Sequence, residues 1–442
     1  MTIKHLAVEN NYPQDCIKKL LMFFLVIAAA GFSEAQEAVK VSSTPMAQPE
    51  LTLTAKLFPQ DAKVFLNGKE LAVKSKTTET RVFGIPRGYC ELVLSAAGYF
   101  DKTVRLTVTN NIYLEEKLER SDSRLVLVGE TLTGHQPKSI MFTRDGQRLV
   151  VPILGEKGVD IIPFGSLAPK RRLTLTPPDK KSCGYVEPAL VRGRNEIWVS
   201  QMDTGKVHIL SGDDPEYQES VSTGGKWPKV ITISPDEKTA FVSNWNSNDV
   251  SVIDVQARKL LRRIPVSGIP RGMAVTADNK FLYVCIFSTG NVDKIDLSNY
   301  TIVKNLNFGS GAARHIVLDN ARGVGYVGDM ATGRVTSFTL ADDKIQKRVW
   351  AGYCPNTIAI TDDGRFLFVS SRGMNNAESY LKKGPDFGKV TVIDAAEMKV
   401  VDWVWGRNQC TGLTVSPDDR YIVFTDFLDA NVEVYDISGL WR

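Results

Sequence analysis

The sequence is short of the residues that build metal and haem centres. Its 442 residues include four histidines (His5, His135, His208 and His315) and six cysteines, with no Cys-x-x-Cys, Cys-x-x-Cys-His or His-Glu-x-x-His string. The usual zinc, covalent-haem and metalloprotease frameworks therefore have no support, and neither a metal nor a cofactor is expected. A Gly-x-x-x-x-Gly-Lys phosphate loop is missing too. Charge of one sign is scarce: 54 Lys and Arg against 50 Asp and Glu leave +4, too little over this length to mark a nucleic-acid protein. The longest apolar run, Leu20 to Ala30, has eleven residues, where a bilayer core requires about 20. No transmembrane anchor is expected.

That run has another meaning. Lys18-Lys19, the apolar stretch LLMFFLVIAAA and Ser33-Glu34-Ala35 follow the order of a secretory signal, basic then apolar then small-residue cleavage site. Residues 1–35 are expected to be a signal peptide and 36–50 a linker, so the protein is expected in the periplasm, at the cell surface or outside the cell. The polar stretch from Met1 to Cys16 is an unusual beginning for such a signal, and a start nearer Ile17 is expected. Beyond the signal stand Cys90, Cys183, Cys285, Cys354 and Cys410. An odd number cannot all pair internally, so free thiols are expected, with Cys354–Cys410 the one pair that the repeat register would bring near.

From Leu51 the chain alternates apolar and polar residues, broken by Asn67-Gly68, which reads as a β-hairpin. Six short strands ending near Leu118 make a small β-sandwich. The run Pro59-x-x-Ala62-x-Val64-x-Leu66-x-Gly68, with Gly84-x-x-x-Gly88 and Gly98-Tyr99, resembles a PEGA domain over residues 51–119, which implies a module of exported and surface-layer proteins.

From residue 124 the chain repeats itself. Val159, Val207, Val250, Val292, Val335, Val390 and Val432 occupy equivalent places, 48, 43, 42, 43, 55 and 42 residues apart. Pro137, Pro188, Pro228, Pro270 and Pro355 each precede by eight residues an acid (Asp145, Glu196, Asp236, Asp278, Asp363), and Ala313 and Cys410 take the proline's place in the fifth and seventh repeats. Seven repeats of four antiparallel strands predict a seven-bladed β-propeller over 124–442. The seventh lacks an outer strand, which Arg124 to Gly129 can supply, removing an exposed edge. The strings FVSNWNSNDVSVID, LYVCIFSTGNVDKID and FLFVSS…KVTVID resemble the YVTN family of propeller repeats, which implies the fold but no single activity.

Antiparallel order places the d-to-a and b-to-c loops of every repeat on one face. The residue after each proline position reads Lys138, Ala189, Lys229, Arg271, Arg314, Asn356 and Thr411, and such a cationic ring suits carboxylate, phosphate or acidic sugar. The expected ligand-binding set is Trp227, Lys229, Asn244, Trp245, Arg271, Arg314, His315, Arg372 and Asp426, the tryptophans serving as platforms. The bland alternative pairs the cations with Asp329, Asp426 or backbone carbonyls. An insertion in the sixth repeat, Arg372 to Gly388, projects on the same face. Gly309-Ser-Gly-Ala-Ala-Arg314-His315 resembles a segment of the seven-bladed lactonases, which implies Arg314, His315 and Asp329 as catalytic candidates; Ala313 and Met330 depart from that pattern.

The sequence thus reads as an all-β protein, a seven-bladed propeller behind a small sandwich, monomeric and non-enzymatic. It is expected to bind an anionic or carbohydrate ligand or an envelope protein partner, with no nucleic acid. The alternative is a lactonase-like hydrolase.

Overall fold

Alternating side chains between Leu51 and Lys117 build eight strands: β1 (Leu51–Phe58), β2 (Lys63–Leu66), β3 (Lys69–Glu70), β4 (Val73–Lys76), β5 (Arg81–Ile85), β6 (Gly88–Ser95), β7 (Lys102–Val108) and β8 (Ile112–Lys117). They form two four-stranded sheets, ordered β4-β5-β1-β8 and β3-β2-β6-β7, around a core that includes Leu53, Val64, Phe83, Leu92 and Val108. The turn between β2 and β3 is Asn67-Gly68, with φ of 50° and 75°, the left-handed pair that a tight hairpin requires. Two strands exceed the six that the sequence predicts. Both β3 and β4 are short and exposed, so neither carries the apolar alternation that marks a buried strand. The computed structural model describes residues 50–168, 170–175, 183–309 and 311–442. The expected signal peptide and residues 36–49 of the linker lie outside them.

Beyond the sandwich the described residues fold as a β-propeller of seven four-stranded sheets. The third repeat shows the plan: Pro228–Ile233 innermost, then Thr239–Asn244, Asp249–Asp254 and Lys259–Pro265 outermost. Its middle strands are buried and its outer strand is exposed apart from Ile264. Innermost strands touch in succession from the second blade to the seventh, the second blade's innermost strand touches the first blade, and the first blade's innermost strand touches that of the seventh, so the strands encircle a central channel. The seventh sheet takes its outer strand from β9 (Val126–Leu132), which pairs antiparallel with Asn431–Asp436.

The acids of the repeat lie on the far face. Ser or Thr three residues before the turn's end donates to the repeat acid, as in Thr143 Oγ1 to Asp145 Oδ1 at 2.6 Å, Ser234 Oγ to Asp236 Oδ1 at 2.7 Å and Thr276 Oγ1 to Asp278 Oδ1 at 2.7 Å. These are turn-stabilising bonds of the kind short polar side chains make to nearby groups.

Sandwich and propeller meet along a seam. Lys117, at the end of β8, is buried and reaches across to Glu433, with further bonds to Tyr435 OH at 2.7 Å and Trp405 O at 2.6 Å. Phe58 stacks on Phe387, ring centroids 4.3 Å apart. The five described cysteines are free.

Candidate functional site

The inner strands of the third to seventh blades open with an irregularity. Their register against the neighbouring strand slips between Pro228 and Ile231, Pro270 and Met273, Ala313 and His315, Pro355 and Thr357, and Cys410 and Leu413. Bulges of this kind turn a side chain away from the regular pleat. The residue within each bulge is the one after the proline position: Lys229, Arg271, Arg314, Asn356 and Thr411. All five are buried, as is Lys138 in the first blade. The sequence places these cations on loops at an open mouth. The structure sinks them one step further, into the channel wall, because they belong to the bulged first turn of the inner strand and not to the loop before it.

The loops above are tied down. In six blades the residue before the proline position accepts a backbone bond from the residue that begins the b-to-c loop: Leu154 to Gln136, Trp245 to Trp227, Phe287 to Ile269, Met330 to Ala312, Arg372 to Cys354 and Phe427 to Gln409. Gln136, Trp227, Cys354 and Gln409 adopt positive φ, between 53° and 64°, an uncommon conformation for side chains of this bulk. Strained backbone held by cross-bonds of this kind concentrates at ligand sites.

Arg372, the first residue of the sixth-blade insertion, joins the buried set, so five cationic side chains from five blades share the channel. They sense one another. Burial lowers Lys138 well below the usual lysine range, and Arg372, Arg314, Arg271 and Lys229 lower it further. Lys229 is lowered by burial and then by Arg271 and Arg314. Burial pulls Arg271 down to about 10, with Glu187 opposing and Arg372 adding, and Arg314 falls for the same reasons. Two like charges 7 Å apart repel by about 2 kcal/mol at an effective dielectric of about 20, so clustering five in one wall is costly without a counter-charge.

The protein supplies little of one. Among the described residues none of these five side chains forms a salt bridge. Arg314 Nη2 donates to Asn356 Oδ1 at 2.8 Å, and Lys229 Nζ meets Met202 Sδ at 2.6 Å. Aromatic faces carry much of the rest: Lys229 lies 5.6 Å and Arg271 5.5 Å from the Trp245 ring, Lys138 4.6 Å from Phe427 and Arg372 6.0 Å from Tyr380. Arg271 Nη1, Arg314 Nη1, Arg372 Nε and Asn356 Nδ2 are buried with no hydrogen-bond partner. A buried unpaired donor costs about 1–3 kcal/mol, more when charged, so four in one wall mark a place built for acceptors.

Of the other expected site residues, Trp227 and His315 lie beside the cations and Asn244, Asp426 and Asp329 do not. Trp227 is exposed and within 5.5 Å of Lys229. Asn244 is buried, and its Nδ2 donates to Asp249 Oδ1 at 2.6 Å and Ser251 Oγ at 2.7 Å, so it braces its own blade, while its Oδ1 has no partner among the described residues. Asp426 belongs to the seam: it accepts from Arg407 N at 2.9 Å and Cys410 Sγ at 3.2 Å, and burial with the adjacent Glu433 pushes its carboxyl well above the usual range. Asp329 accepts from the backbone N–H groups of Ala331 and Thr332 at 2.8 and 3.0 Å. Neither aspartate pairs with the channel cations, as the bland alternative requires. His315 accepts a bond from Ile358 N at 3.4 Å, and burial, Arg314 and Arg271 hold it neutral down to about pH 3. Among the described residues it shares no hydrogen bond with Asp329. Lys138 and Asn356 stand in the same repeat column as Lys229, Arg271 and Arg314, where the sequence already groups them, although the expected ligand-binding set leaves them out. Glu187 leaves no such mark, since the second blade carries Ala189 where others carry a cation.

Among the described residues, no group of three or more His, Cys, Asp or Glu side chains is disposed to hold a metal ion, and no helix is long and apolar enough to cross a membrane. A YNCE-like beta-propeller family model matches residues 196–323. The chain is similar in fold to a chain of Kuenenia stuttgartiensis hydrazine synthase, at 20% identity and a TM-score of 0.55, covering 71% of this chain and 98% of that one; at that identity the likeness concerns the fold alone. It is also 37% identical over 361 residues to Antigen Lp49 of Leptospira interrogans serogroup Icterohaemorrhagiae serovar copenhageni (strain Fiocruz L1-130), a match that spans 79% of this chain and 78% of that protein. A β-propeller aligned with that relative over nearly four fifths of both chains belongs to the Antigen Lp49 family.

Proposed function

We propose that this protein is an exported binding protein of the cell envelope or surface, whose propeller channel holds an anion on the loop face. The observation that carries this reading is the buried set Lys138, Lys229, Arg271, Arg314 and Arg372, with guanidinium nitrogens of the three arginines left without partners. Preorganised, partly desolvated cations attract a counter-charge more strongly than exposed ones do. A relative described as an antigen supports accessibility to the outside, and the basic-apolar-small order of residues 18–35 supports export. In this reading residues 51–119 are a PEGA-like docking module and 124–442 a YVTN-type propeller, acting as a monomer.

Replacing Arg271 and Arg314 together by Ala tests the site: a thermal shift produced by multivalent anions in the parent should vanish in the double variant. Retention of the shift would move the anion elsewhere. Protease accessibility on intact cells, against an internal control protein, tests display at the surface.

A further inference from the structure

Resting on the anion reading above, we infer that the channel takes a compact anion carrying at least two negative charges, of phosphate or polycarboxylate type, and not a sugar or a monocarboxylate. Three observations lead there. The unpaired buried atoms at Arg271, Arg314, Arg372 and Asn356 are all donors, and Lys138 and Lys229 add two ammonium groups that have only donors to offer. These residues come from the first, third, fourth, fifth and sixth blades, so donors surround the channel axis. A sugar hydroxyl donates as well as accepts and would set donors against donors; a ligand with acceptors on its whole rim would not.

Charge points the same way. Five cations stand in this wall, and among the described residues Glu187 is the carboxylate that opposes the lowering of Arg271, Arg314 and Lys229, so a single negative charge leaves most of the excess uncompensated. Guanidinium forks match carboxylate and phosphoryl oxygens equally well, and both kinds of ligand satisfy the geometry. The third observation concerns the aromatic rings. Trp245 is engaged by Lys229 and Arg271, Phe427 by Lys138 and Tyr380 by Arg372, so these rings hold cations in place. The insertion contributes Tyr380, whose carbonyl is gripped by Gln409 Nε2 at 2.5 Å, and this keeps bulk at the mouth.

The test is calorimetric titration of the full chain at fixed ionic strength with pyrophosphate, citrate, acetate and glucose. Pyrophosphate or citrate should bind at least 100-fold more tightly than acetate, with no heat from glucose. Binding by pyrophosphate alone identifies the phosphate source, and binding by citrate alone the polycarboxylate source. Arg271→Gln with Arg314→Gln should weaken the bound probe by at least 100-fold, whereas Lys226→Gln, an exposed neighbour, should leave it unchanged. Arg271→Lys, which keeps charge and loses the fork, should fall between and guards against misfolding of the double variant. Acetate or glucose binding as tightly as the multivalent probes, and lost in the double variant, would overturn the ligand class while leaving the channel as the site. No binding by any probe, or binding indifferent to both arginines, would overturn the anion reading itself.

Discussion

Arg271 shows how far this site departs from what folding alone would choose. It is buried, has no hydrogen-bond partner among the described residues for its side chain, and rests on Trp245 beside other cations. Replacing buried charged groups by apolar residues of similar volume is often stabilising, by about 1–4 kcal/mol. Arg271→Met is therefore expected to raise the stability of the ligand-free protein by about 1 kcal/mol while abolishing its response to pyrophosphate. Urea unfolding with and without pyrophosphate measures both at once. A loss of stability in the absence of anion would make the arginine a structural residue.

Titration at these residues has a definite sign. Lys138 and Lys229 are lowered by burial and by their cationic neighbours, so each sheds its proton in the folded protein before an ordinary lysine would. Anion affinity should decline as pH rises through the window below the usual lysine value of about 10.5, and a profile flat up to that value would contradict the burial. The histidines act at the other end. Burial holds His208 down to about 4, with Lys206 adding to the shift, and His315 to about 3, while an unfolded histidine titrates near 6.5. Between these values the unfolded chain binds more protons, so stability rises with pH across this window and is lost as pH falls from about 6.5 toward 3. Comparing the parent with His208→Gln over that interval should show a shallower slope in the variant.

At the scale of strands and loops, the sixth-blade insertion is held from two sides. Lys56 on β1 donates to Gly384 O at 2.7 Å, and Lys383 pairs with Glu115 of β8 at 2.6 Å and with Asp429. The same loop begins with Arg372 and carries Tyr380. Beneath it, Lys117 and Glu433 are buried together, and burial's pull on the lysine is more than reversed by Glu433 and Glu119. Breaking such a pair by removing one partner costs about 3–5 kcal/mol. Lys117→Ala should lower stability by about that amount, and Lys117→Met with Glu433→Gln should recover most of it, as chemical denaturation would show. Equal losses in both variants would mean that packing, and not the stranded charge, sets the cost. Deleting the sandwich should likewise leave Glu433 without its buried cation, and the truncated propeller is expected to melt lower than the full chain.

How much of this was legible beforehand follows the same physical divide. Repeat spacing, the Asn67-Gly68 turn and the closing strand near Val126 are written in local periodicity, and they emerge at or within a few residues of the expected places. The channel cations were visible as a column in the repeat, but their depth was not, because a bulge leaves no trace in an apolar-polar pattern. The seam was invisible: Lys117 and Glu433 lie 316 residues apart, and a single long-range ion pair has no period. Asn244 and Asp426 were drawn into the expected site because their loops share a face with the cations, although their side chains turn inward to brace blades.

For the whole molecule, the ring closes through close backbone contact as well as pairing. A Cβ on Gly412 would lie 2.5 Å from Ser139 Cα, and one on Gly272 would lie 2.7 Å from His315 Cα. Gly412 follows Thr411, whose Oγ1 donates to Pro137 O at 3.2 Å across the junction of the seventh and first blades. Overpacking of this kind costs about 1–3 kcal/mol, so Gly412→Ala should lower the unfolding midpoint although no polar group is lost. An unchanged midpoint would show that the junction has slack.

Strand β9 and its partner carry a further consequence for how the protein is made. Leu132 pairs with Asn431, so the two stand 431 − 132 = 299 residues apart in the chain. The ribosome finishes β9 long before the strand that it needs, and the other six sheets are complete by Trp405 while the seventh still waits for Asn431–Asp436. Closure is then the last folding event, a non-local pairing of the slow kind, and a polypeptide interrupted before Asn431 keeps an unsealed edge containing Val126, Val128 and Leu132. Sealing of the ring only after the final strand has emerged is the order of events that this topology imposes on the nascent chain.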